Sequence, residues 1–120
     1  MTQPMTPAEA EQLARELLGH LASTRDGANA DWDLLADAAA RALVGDRAAI
    51  SVFRRVFSEP GFAVSNSGFE VGYAALGLGL LGDTESLPGL AARSMPYNGI
   101  DRQLAAACTL LRHVRTLHRV

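Results

Sequence analysis

The chain has a single cysteine, Cys108, and no lysine. One thiol forms no internal disulfide and builds no cysteine-based metal site. All 11 basic residues are arginine and stand against 13 acids, for a net charge of −2, so bulk charge excludes a general nucleic-acid binder. The absent lysine, with heavy use of Ala, Leu and Gly, reads as GC-rich coding composition and not as function. No apolar run reaches the roughly 20 residues a membrane span needs, and the longest candidate, 69–81, contains Glu70. Met1-Thr2-Gln3-Pro4 carries no basic side chain and leads into Glu9 and Glu11, unlike a signal peptide, so the cytoplasm is the expected compartment. No glycine-rich phosphate loop, metal box or nucleophile motif occurs; no cofactor, metal or catalytic residue is expected.

What is present is apolar and helical. With 48% hydrophobic residues the chain is not disordered, and 120 residues make one domain, 1–120, with 1–5 expected to be flexible. Thr6-Pro7-Ala8-Glu9 is a capping box with proline at the first helical position. Leu13, Leu17 and Leu21 follow at four-residue spacing beside Ala10, Ala14 and Leu18, and the helix is expected to stop near Ser23. A second helix is predicted from Asp31 to Val44, with Gly45 as its stop. Asp46 then caps a third helix carrying Ile50, Phe53 and Phe57, ended by Glu59-Pro60-Gly61. Ser67-Gly68-Phe69-Glu70 is a second capping box, opening a fourth helix to Leu81 with Gly82 as stop. Asp83 or Thr84 starts a fifth, fading at Ser94-Met95-Pro96, and Asn98 to Asp101 opens a sixth. Gly61 to Ser65 offers one short extended piece without a partner strand, which makes it a loop. The fold class is all-α: about six helices as stacked helical hairpins, in a short α-solenoid or a compact helical bundle.

An internal match supports the hairpins. Ala42–Ile50 aligns without a gap on Gly79–Leu87, an offset of 37 residues; Trp32 falls on Phe69, Asp33 on Glu70, Ala38 on Ala75 and Phe53 on Leu90. The repeat-like units are about 31–57 and 68–94. Glycine accepts the left-handed conformation that ends a helix, and the aspartate after it caps the next, so two helices turn back on each other with almost no loop. The stretch Leu78-Gly79-Leu80-Leu81-Gly82-Asp83-Thr84-Glu85-Ser86-Leu87-Pro88-Gly89-Leu90 resembles the short HEAT-like repeat of the phycobilisome-lyase type. That pattern runs Leu-Gly-x-Leu-Gly-Asp-x-x-Ala-Leu-Pro-x-Leu, and Ser86 in place of alanine is the departure. The first copy lacks the proline and has Ala42 where the glycine belongs. The resemblance covers about half the chain and implies stacked helical pairs and partner binding, with no catalytic residues. Two units fall short of the three a solenoid usually needs, so the first and sixth helices act as terminal caps or a second copy completes the core. The alternative is two ordinary hairpins sharing common cap chemistry.

Three features carry the functional expectation. The fourth helix is apolar round its whole circumference, with Gly72, Ala75 and Gly79 on one side where a neighbouring backbone could approach; it is buried centrally or forms a homodimer seam. Arg112, Arg115 and Arg119 line one strip of the last helix, beside the apolar face of Ile100, Leu104, Ala107, Leu111 and Val114. Residues 1–46 carry eight acids and three arginines, residues 47–120 five acids and eight arginines, so the strip suits an acidic protein or the acidic half of a second copy. The expected function is a non-catalytic protein–protein interaction module, self-associating or adaptor-like, with contact residues Trp32, Asp33, Phe69, Tyr73, Arg112, Arg115 and Arg119. Nucleic acid held by the arginine strip is one alternative, and no membrane partner is expected. A small helical enzyme or ligand-binding protein with an apolar pocket near His20, Tyr73, Tyr97 or Cys108 is the other. Cys108 reads first as a small buried hydrophobe, His20 as a surface partner of Glu16, and His113 and His118 are spaced wrongly for a helical metal pair.

Overall fold

A computed structural model describes residues 5–25, 27, 29–59, 61–63, 69–92 and 101–118, with side chains as far as His113. Every regular element among the described residues is helical. Helix α1 spans Pro7–Ala22 and α2 spans Ala30–Leu43; α3 runs Ile50–Ser58, α4 Phe69–Leu81, α5 Leu87–Ala92 and α6 Asp101–His118. The first capping box forms as expected: the Glu9 amide donates to Thr6 Oγ1 at 3.1 Å and the Thr6 amide donates to Glu9 Oε1 at 3.2 Å. Helix α2 starts one residue before the expected Asp31, because the Asn29 side chain caps it by accepting from the Trp32 amide at 3.1 Å. Ser67-Gly68, Ser94-Met95-Pro96 and Asn98 lie outside the described residues. Of the piece 61–65, the described residues 61–63 form a turn, with positive φ at Gly61 and Ala63, and the Ala63 amide donates to Asp31 Oδ2 at 3.4 Å.

The two glycine–aspartate elbows are the same bend. Gly45 and Gly82 have φ of 77° and 74°. The Gly45 amide donates to Ala42 O at 3.0 Å and the Asp46 amide to Arg41 O at 2.9 Å. At the second elbow Gly82 donates to Gly79 O at 3.2 Å and Asp83 to Leu78 O at 3.0 Å, each atom 37 positions on. This double bond is the Schellman closure, which satisfies carbonyls that a helix end leaves open. Each elbow then makes a 3-10 turn, Arg47–Ala49 or Thr84–Ser86, so α3 and α5 begin three residues later than a bare cap predicts. An arginine from an earlier element closes each end further. Arg15 Nη1 donates to Leu43 O at 3.3 Å, and Arg47 Nη1 donates to Leu81 O.

Helix α4 is the centre of the molecule. Ten of its residues are buried, and α1, α2, α3 and α6 all pack on it. Its all-round apolarity is therefore answered within one chain and gives no argument for a homodimer seam. Bare glycines set how closely the neighbours approach. The ring of Phe53, itself fully buried, lies where a Cβ on Gly77 would stand; a Cβ on Gly79 would come within 2.9 Å of the Ala107 Cα. On α1 the fully buried seam is Ala10, Ala14, Leu18 and Leu21, with Leu13 and Leu17 flanking it, because the small alanines admit the neighbouring helices. Helix α6 buries more than the expected stripe. Ala106 and Leu110 join the main core with α1, while Leu104, Ala107, Cys108 and Leu111 pack with Ala75 and Leu90.

Because α1 packs against both α4 and α6, the first and last helices meet and the bundle closes. In an open solenoid each unit touches only its neighbours in the stack. The radius of gyration, 13.4 Å, equals the roughly 13.6 Å expected of a compact chain of this length. Among the described residues no helix is long and apolar enough to cross a membrane.

The close approaches predict a split among glycine substitutions. Gly79→Ala and Gly77→Ala each lower stability by about 1–3 kcal/mol through overpacking. Gly19→Ala, where a Cβ meets nothing within 4 Å, raises it by roughly 0.5–1 kcal/mol through helix propensity. Equilibrium urea unfolding of the three variants checks both signs.

Candidate functional site

The residues expected to contact a partner separate into two groups. At the start of α2 the half-buried Trp32 is locked from both ends: its indole Nε1 donates to Thr24 Oγ1 at 2.9 Å, and its ring meets Tyr73 edge-on, with centroids 6.1 Å apart and planes at 79°. Thr24 is fixed in turn by donating to Leu21 O at 2.7 Å. Tyr73 is one helical turn after Phe69 on α4, and burial pushes its phenol above the ordinary value. Phe69 is 51% exposed, the largest apolar side chain at this corner left open to solvent. Asp33, half-buried, follows Trp32 in the first turn of α2. The aromatic corner is thus a rigid pair with an open phenyl beside it.

The arginine strip is not gathered there. Arg112 is exposed on α6 and lines a hollow of about 510 Å³ with Thr84, Glu85, Leu87, Pro88 and Leu111, beside α5. Arg115 lies on α6 with its side chain outside the described residues, and Arg119 and Tyr97 lie outside them altogether. Cys108 is buried, and its thiol is pushed up by that burial, which Arg112 offsets only in part. His113 Nδ1 lies 2.8 Å from Thr109 O, one turn back on its own helix. Glu16 accepts from Gln12 at 3.2 Å, not from His20. Among the described residues no cluster of three His, Cys, Asp or Glu side chains is placed to hold a metal.

A buried, charge-assisted polar cluster on the second elbow is one that the local sequence pattern does not announce. Asp83, 4% exposed, was expected to cap a helix; instead Arg54 on α3 forks onto it, Nε to Oδ2 at 2.8 Å and Nη2 to Oδ1 at 2.6 Å. Ser86 Oγ adds a donor to Oδ2 at 2.6 Å, and Arg54 Nη2 also reaches Glu85 at 3.2 Å. The first elbow differs: Asp46 accepts from the Ala48 amide at 3.0 Å, as a cap does. The pairing is set by packing and not by a local motif. Arg54 follows Phe53, whose place in the core beside Gly77 puts the next residue of α3 near the second elbow.

No family model, no curated protein and no solved structure matches this chain.

The Arg54 hydrogen bonds hold Asp83 below the ordinary carboxylate range, outweighing the effect of its burial. A carboxylate with a lowered folded value contributes its stability in full above its unfolded value, near 3.8, and loses it as pH falls through the folded value. Asp83→Asn should therefore lower the urea midpoint at neutral pH, and its deficit against the wild type should shrink below about pH 4. Parallel urea titrations from pH 7 to pH 2.5 test this.

Proposed function

We propose that the chain is a non-catalytic helical interaction module, an adaptor that binds another protein through the aromatic corner of α2 and α4. The observation that carries this reading is Phe69, half open to solvent beside a Trp32–Tyr73 pair already held in place by Thr24 and by edge-on packing. Aromatic anchors that lose little freedom on binding are the usual centres of protein interfaces. The acids Asp31 and Asp33 on either side of Trp32, and the acidic balance of residues 1–46, favour a partner whose contacting surface is basic. The resemblance of the second unit to a HEAT-like repeat, which implies partner binding, points to the same role. A second copy of the chain, offering its arginine-rich half, is the alternative partner.

Phe69→Glu tests the reading, since half of the residue is exposed. The variant should keep its urea midpoint to within about 0.5 kcal/mol and lose at least tenfold in affinity for the partner captured by the wild type. Light scattering separates a second copy from a different protein. Equal affinity of the two forms for every captured protein, with no change in oligomeric state, overturns the proposal.

A further inference from the structure

Helices α3 and α5 occupy equivalent places after the two elbows, yet they barely touch: α3 packs on α4, and α5 on α6. Between them lies a cleft of about 420 Å³, lined by Phe57, Leu78 and Leu90 and edged by Arg54, Glu85 and Gly89. That volume is within the roughly 300–1,000 Å³ of small-molecule sites, which combine an apolar lining with a few placed polar groups. Gly89 stands in its wall, and a Cβ there would meet nothing within 4 Å.

The polar group at the edge has a defined state. Arg54 spends Nε and Nη2 on Asp83, which anchors the guanidinium plane from the buried side. The Nη1 edge has no partner among the described residues. The remaining contact, to Glu85, is made by a side chain 83% exposed, and an exposed pair of this kind holds weakly and can be displaced. A planar anion fits a guanidinium edge through paired N–H donors. Asp83 already matches the charge of Arg54, so an incoming anion can only take the place of the single negative charge of Glu85; a phosphate dianion exceeds that.

We propose that this cleft binds a small monocarboxylate with an apolar tail, the carboxylate replacing Glu85 on Arg54 and the tail lying against Phe57, Leu78 and Leu90. The site is independent of the aromatic corner, and its test does not involve a protein partner. Decanoate below its micelle concentration is the probe, titrated into the full chain and followed by calorimetry and amide chemical shifts, with 1-decanol as the uncharged control. Glu85→Gln removes the competing carboxylate and should tighten decanoate severalfold while leaving decanol unchanged. Gly89→Leu fills the cleft and should weaken both at least tenfold, with its urea midpoint unchanged or raised. The shifts should map to α3 and α5. Absence of decanoate binding at millimolar concentration overturns the proposal. So does an affinity that Glu85→Gln leaves unchanged or lowers, or a Gly89→Leu variant that binds as the wild type does.

Discussion

The structure depends on one constraint, a helix that has no polar face. Along α4 apolar and glycine positions follow one another round the whole circumference, and water can be kept from all of them only by enclosing the helix. Four helices do so, and they reach it closely because Gly77 and Gly79 carry no side chain. Phe53 fills one vacancy, and the backbone of α6 at Ala107 presses into the other. The remaining helices can be read as the wall that this central element requires.

The elbows make that wall possible. At two of the connections a left-handed glycine followed by a helix-starting acid turns the chain sharply with almost no loop. The two bends share their backbone geometry but use their acids differently. Asp46 stays at the surface and caps its own 3-10 turn. Asp83 is buried, and there a bare carboxylate would be costly; Arg54 supplies the opposite charge and two of the hydrogen bonds. The second elbow is thereby tied to α3, which joins the two halves of the molecule by a polar clamp as well as by apolar contact.

Much of this was legible in the amino-acid order, and the physical reason is locality. Caps, glycine stops and the apolar circumference of α4 involve residues a few positions apart, so spacing alone exposes them. The Thr6–Glu9 box, both elbows and the buried Cys108 follow from such patterns. The meeting of α1 with α6 does not, because it is decided by how surfaces fit across the whole length of the chain. Arg54 and Asp83 are likewise 29 positions apart, and their pairing follows from where Phe53 lodges, a packing fact that no periodicity encodes. Of the contact residues, Trp32 and Tyr73 are brought together because α2 and α4 pack on each other with both residues in their N-terminal halves. Arg112 faces α5 instead, since the broader buried face of α6 turns it that way.

The closed bundle presents a stiff aromatic corner and an open cleft. Both surfaces rest on α4: Phe69 and Tyr73 contribute to the corner, and Leu78 to the cleft. Native-state hydrogen exchange, residue by residue and at rising low urea concentrations, tests this most directly. The account predicts that the amides of α4 from Ala74 to Leu78, together with the Asp83 amide bonded to Leu78 O, exchange only through global unfolding, with the full denaturant dependence of the whole chain. Exchange of these amides through a smaller opening, insensitive to urea, would contradict it, because α4 would then be a peripheral element and not the centre.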